Sequence, residues 1–115
     1  MIIRYVYVAG PITKGNQFIN VRNALLAARR LRDAGFFVFV PHRSLLDEIA
    51  TGETHYEVWM QEGFAWIARC DALLRLPGES SGSDREVAFA RERSIPVFFD
   101  IEELCRTWRV GGEAR

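Results

Sequence analysis

Four short apolar runs alternate along this chain with segments whose apolar residues recur at helical spacing, and no other feature restricts the fold as much. Ile2 to Ala9 is rich in β-branched and aromatic residues and stops at Gly10-Pro11. Phe36 to Val40 is closed by Pro41, Asp71 to Leu76 by Pro77-Gly78, and Ile95 to Phe99 completes the set. Such runs, bounded by residues that break a strand, read as strands, the first of them buried. Between the first two, Phe18, Val21, Leu25, Ala28 and Leu31 fall on one helical stripe, with Asn16 as cap and Gly35 as stop. Ser44 to Ala50 predicts a short helix, and His55 to Arg69 a longer one with Tyr56, Met60, Phe64 and Ile67 on its inner face. Asp84 to Arg93 is helical in pattern, and Asp100 caps a last helix carrying Ile101, Leu104, Cys105 and Trp108.

Strands that alternate with helices predict a parallel sheet covered on both faces. Right-handed crossovers then favour a doubly wound, flavodoxin- or Rossmann-like α/β three-layer sandwich, its four strands ordered 2-1-3-4. One domain is expected over residues 1–109, followed by a frayed tail at 110–115. Ligands of such sheets bind beyond the carboxyl ends of the strands, where the order reverses. The loops meeting there are Gly10 to Asn16 and Pro77 to Ser83, with Pro41-His42-Arg43 beside them.

Composition excludes several classes of function. Fifteen basic and fifteen acidic residues cancel, so no overall field draws the chain to nucleic acid or a membrane surface. No apolar run approaches the roughly 18 residues of a membrane span. The start runs directly into a strand, so no signal peptide is expected. Cys70 and Cys105 lack metal-ligand spacing and sit in apolar segments, which predicts buried free thiols in a reducing cytoplasm; no metal or other cofactor is expected.

Chemistry concentrates at Leu76 to Ala90. A strand ends, a polar loop of serines and glycines follows, and a helix begins; a helix N-terminus offers unpaired N–H groups to an anion. Glu86 stands at the start of that helix. Ser83-x-x-Glu86 also reads as a capping box, with the glutamate reaching back to the serine N–H. At the first loop, Tyr5, Tyr7 and Ala9 share one strand face. Tyr7 either directs its hydroxyl into the crevice or is a core residue. Gly10 permits close approach of a ligand or of the chain itself. Arg43 and Arg75 are either anion partners or solvated surface arginines, and Asp71 reads as a cap or turn for the helix before it.

Tyr-Val-Ala-Gly-Pro-Ile at 7–12, Cys-Asp-Ala-Leu-Leu at 70–74 and Ser-x-Gly-x-x-x-Glu at 80–86 resemble the nucleoside 2-deoxyribosyltransferase superfamily. That group includes 2′-deoxynucleoside 5′-phosphate N-hydrolases and many short phage and bacterial proteins. The resemblance implies cleavage of an N-glycosidic bond in a nucleoside or nucleoside 5′-monophosphate. Glu86 is the implied nucleophile, held by Tyr7, with hydrolysis or transfer completing the reaction. Ser80, Gly82 and Ser83 are the implied phosphate donors, and Gly10, Pro11, Ile12 and His42 the implied lining of the sugar or base pocket. A homodimer or higher homo-oligomer is implied too, with Trp66, Trp108 and Phe89 as candidates for the covered surface.

The chain departs from that family at one position. An aspartate that contacts the base is expected eight residues before Asp71, where this chain has Gly63. Glu62 is adjacent, but it projects roughly 100° around the helix. A nucleotide-binding module without turnover, a sensor or partner subunit, is therefore the competing expectation.

Overall fold

The computed structural model describes residues 2–108. The strands are β1 (Tyr5–Ala9), β2 (Phe37–Phe39), β3 (Ala72–Arg75) and β4 (Val97–Phe98). The helices are α1 (Gln17–Asp33), α2 (Ser44–Thr51), α3 (Tyr56–Ile67), α4 (Ser81–Glu92) and α5 (Ile101–Thr107), and a 3-10 turn over Pro41–Arg43 leads into α2. All three strand pairings are parallel and the order is β2-β1-β3-β4, as the alternation predicts. The expected tail lies outside the described residues.

Side chains of a strand alternate between faces, and here the alternation sorts two cores. Val6, Val8, Ala72 and Leu74 pack with Ala24, Ala28 and Leu31 of α1 and Leu104 of α5. Tyr7, Ala9 and Leu73 pack on the other face with Ile67 of α3 and Val87 and Ala90 of α4. The sheet is thus the middle of three layers.

The predicted helical stripes shift in detail. On α1 the buried residues are Ala24, Ala28 and Leu31, whereas Phe18 is 89% exposed and Leu25 is also exposed. Small residues let the helix lie close to the sheet, and this displaces the larger apolar side chains outward. On α3 the buried positions are Met60, Gly63 and Ile67; Tyr56 is exposed and Phe64 only half-buried. Both cysteines are free and half-buried rather than buried.

Two expected caps are found: Asn16 Oδ1 accepts from Ile19 N, and Asp100 Oδ1 from Glu102 N. The third moves. Ser80, not Ser83, caps α4, its Oγ accepting from Ser83 N at 3.1 Å. Ser83 therefore lies inside the helix, and Glu86 sits a turn too late to reach back as a capping box requires. Asp71 caps no helix either: its Oδ2 accepts from Tyr5 N at 2.8 Å, and its own N–H donates to Tyr5 O, so it extends the β1–β3 pairing.

Candidate active site

β1 ends in the middle of the sheet, and its buried face presents Tyr7 to α4. The phenol donates to Glu86 Oε2 at 2.6 Å, joining residues 79 apart in sequence. Tyr7 is fully buried and Glu86 is 7% exposed. Burial pushes the Glu86 carboxyl up to about 7, against the opposing pull of the Tyr7 hydroxyl and of the Arg75 and Arg85 charges. Burial and the neighbouring Glu86 drive Tyr7 far above the usual phenol range, so it stays a proton donor in the pair.

A cavity of about 680 Å³ opens over this pair at the carboxyl end of the strands. Gly10, Ile12 and Lys14 line it from the loop after β1, and Ser80 to Ser83 from the start of α4. Phe39, Trp59, Met60 and Trp66 supply apolar wall, and Tyr56 and Arg43 line it too. Tyr7 stacks on Phe39 at 5.5 Å and Phe39 on Trp66 at 4.7 Å, a continuous aromatic surface. Glu48 of α2 also lines the cavity and is held by Trp59 Nε1, which donates to its Oε2 at 2.7 Å.

The loops expected to converge do so. Ser81 and Gly82, the first residues of α4, have no carbonyl within the helix for their N–H groups. Ser83 N–H is taken by Ser80, so the serine loop offers fewer free donors than its composition suggests. The Tyr56 hydroxyl crowds Gly82, where an added Cβ would lie 3.0 Å from it.

Two expected lining residues do not face the cavity. His42 is 1% exposed, and its Nε2–H donates to Pro11 O at 2.9 Å, tying two loops together beneath the site. A carbonyl only accepts, so Nε2 carries a proton; burial lowers the ring's pKa and favours its neutral form. Pro11 is itself buried and abuts Gly78. Arg75 is not a solvated surface arginine, being 8% exposed and bonded to Leu76 O, Gly78 O and Asp84 Oδ1. Arg43 does line the cavity.

Gly63 has a spatial explanation. A Cβ built there would lie 2.8 Å from Tyr7 Oη and 3.0 Å from Glu86 Oε2. No side chain fits at this point of α3 while the pair is in place. Glu62 does reach the cavity wall, contrary to the sequence-based expectation that it points away. Phe39, Trp59 and Glu48 line the cavity without any sequence expectation attached to them, while Tyr56, expected on an inner helical face, and Trp66, expected at a subunit interface, line it as well. The available signal was Tyr56, Trp59 and Trp66 crowding a helix too aromatic to be all core. Among the described residues, no group of three or more His, Cys, Asp or Glu side chains is placed to hold a metal ion.

Of the surface aromatics expected at an interface, only Trp66 is exposed, and it belongs to the cavity. Phe89 stacks on Phe64, while Trp108 packs against the core beneath Arg4. Exposed apolar residues are spread over several elements; those on α1 and α2 include Phe18, Ile19, Leu26, Leu46 and Ile49. Among the described residues no helix is long and apolar enough to cross a membrane.

The fold is that of a 2-deoxyribosyltransferase. A 2-deoxyribosyltransferase from the psychrotolerant bacterium Bacillus psychrosaccharolyticus superposes with a TM-score of 0.61 at 23% identity, covering 81% of this chain and 69% of that one. A conserved protein from Enterococcus faecalis V583 gives a TM-score of 0.65 at 17% identity, covering 84% of this chain. This chain spans 62% of that protein's length. No curated protein matches the sequence. Residues 4–99 match the family described as domain of unknown function DUF4406, and the chain belongs to that family.

Proposed function

We propose that this protein cleaves the N-glycosidic bond of a nucleoside or nucleoside 5′-monophosphate, with Glu86 as nucleophile. The observation that carries the reading is the buried Tyr7–Glu86 pair on the floor of the cavity. One carboxylate oxygen is held by the phenol, which leaves the other to attack the anomeric carbon. The C–N bond breaks, its electrons leave with the base, and water or a second base resolves the glycosyl-enzyme. Aromatic wall suits a flat base, and the unpaired N–H groups at the start of α4 suit a 5′-phosphate. Glu62 also lines the cavity and brings a second carboxylate to its wall.

The test is base release from a panel of nucleosides and 5′-monophosphates, for wild type, Glu86→Gln and Glu86→Ala. Release by wild type and its loss in both variants is expected. A second reading, binding without turnover, is favoured by Gly63, which leaves no carboxyl at that position to serve the base. Ligand binding by wild type and Glu86→Gln alike, with no release by either, would establish that reading instead.

The same proposal includes a cytoplasmic setting, where both thiols stay reduced, and a homo-oligomer covering the exposed residues of α1 and α2. Sedimentation should give a mass above 13.2 kDa that reverts to the monomer in Phe18→Asp. A monomeric wild type would refute it.

A further inference from the structure

β3 ends in a contradiction. Ala72, Leu73 and Leu74 are apolar and buried, and the next residue, Arg75, is a guanidinium almost as buried at 8% exposure. A buried cation persists only where it is paired and hydrogen-bonded. Arg75 meets that condition with acceptors from two structural units. Nη1 donates to Leu76 O, and Nη2 to Gly78 O at 3.0 Å, both in the loop that leaves β3. Nη2 also donates to Asp84 Oδ1 at 3.0 Å, in the first turn of α4.

That loop carries Glu79 and Ser80 to the cavity rim, and Ser80 caps α4. Its opposite side is fixed as well. Gly78 has φ of 119°, and a Cβ there would lie 2.7 Å from Pro11 Cγ, so no bulk separates it from the loop after β1. Arg75 itself does not line the cavity above Glu86, so contact with a ligand there does not account for it.

We propose that Arg75 is a positioning residue whose guanidinium clamps the Leu76–Ser80 loop to the first turn of α4 and thereby sets the donor rim of the cavity and the seat of Glu86. A planar fork with several fixed donors is what such a clamp needs; an ammonium carries the charge but not the geometry. The charged and titratable groups around Glu86 are Tyr7 from β1, Arg75 from β3, Arg85 on α4 and, facing Tyr7 from α3, Glu62. Only the catalytic consequence rests on the proposed function; the clamp does not.

Two readouts that need no activity decide it: amide exchange over Gly78 to Ser83, and the carbon-13 titration of the Glu86 carboxyl. They are compared in wild type, Arg75→Lys, Arg75→Gln and Asp84→Asn. In Arg75→Gln the loop amides should exchange roughly tenfold faster, as expected for losing a charge-assisted hydrogen bond. The Glu86 midpoint should also rise above about 7. Arg75→Lys should keep the midpoint near the wild-type value yet show the faster exchange. Asp84→Asn alters an exposed side chain, so it tests the tie to α4 even if Arg75→Gln does not fold. Unchanged loop exchange in Arg75→Lys and Asp84→Asn overturns the clamp. A lower melting temperature with neither readout moved means a merely structural arginine, which also overturns it. Absence of base release by the wild type overturns only the proposed function.

Discussion

Glu86 stands almost out of water, and that burial disfavours its charged form. Tyr7 is what partly restores that form. The hydroxyl bonds to the carboxylate, so removing it must raise the Glu86 pKa further above about 7. If the ionised carboxylate reacts, base release by wild type rises with pH through a midpoint near 7. In Tyr7→Phe that rising limb should move to higher pH, and the rate above it should fall roughly 10- to 100-fold. The pH profile of kcat/KM checks this. A profile that does not move would mean that Tyr7 holds nothing the reaction uses.

At the scale of the element, α3 shows why a helix rule can invert. Glycine inside a helix is normally about 1 kcal/mol worse than alanine, so Gly63→Ala should stabilise α3 on propensity alone. Here the added methyl meets Tyr7 Oη at 2.8 Å and Glu86 Oε2 at 3.0 Å. Those atoms end buried, packed side chains, so the pair must separate or α3 must shift. Gly63→Ala is therefore expected to keep its helical circular dichroism and to lose base release. Full activity in that variant would show that the Tyr7–Glu86 contact is dispensable. The same element makes the site possible, because a backbone without a Cβ is what leaves room for a phenol and a carboxylate against it.

For the whole molecule, the raised Glu86 pKa couples the site to stability. The carboxyl titrates near 4.5 when unfolded and near 7 when folded, so between these values the folded state holds more protons. Stability from this group is greatest below 4.5 and is lost as pH rises through 7. The full effect is about 3 kcal/mol for so buried a group. His42 acts in the opposite sense: its lowered pKa means that stability falls when pH drops below the ordinary histidine range. The difference between wild type and Glu86→Gln isolates the carboxyl. Urea midpoints at pH 5 and pH 8 should show the variant gaining on wild type at the higher pH. An equal difference at both values would place Glu86 in contact with water.

Much of this architecture is written locally. An apolar period near two or near 3.6 depends on neighbours a few residues away, and crossover handedness then leaves few topologies. The order β2-β1-β3-β4, the caps at Asn16 and Asp100 and the convergence of the loops after β1 and β3 follow from such short-range signals. The roles of individual polar residues do not. Glu86 pairs with a phenol 79 residues away instead of capping its own helix. Arg75 is a buried clamp, His42 an inward tie between loops, and Gly63 a space kept for two oxygens from other elements. Each of these depends on distance across elements and on exclusion of water, and packing alone decides both.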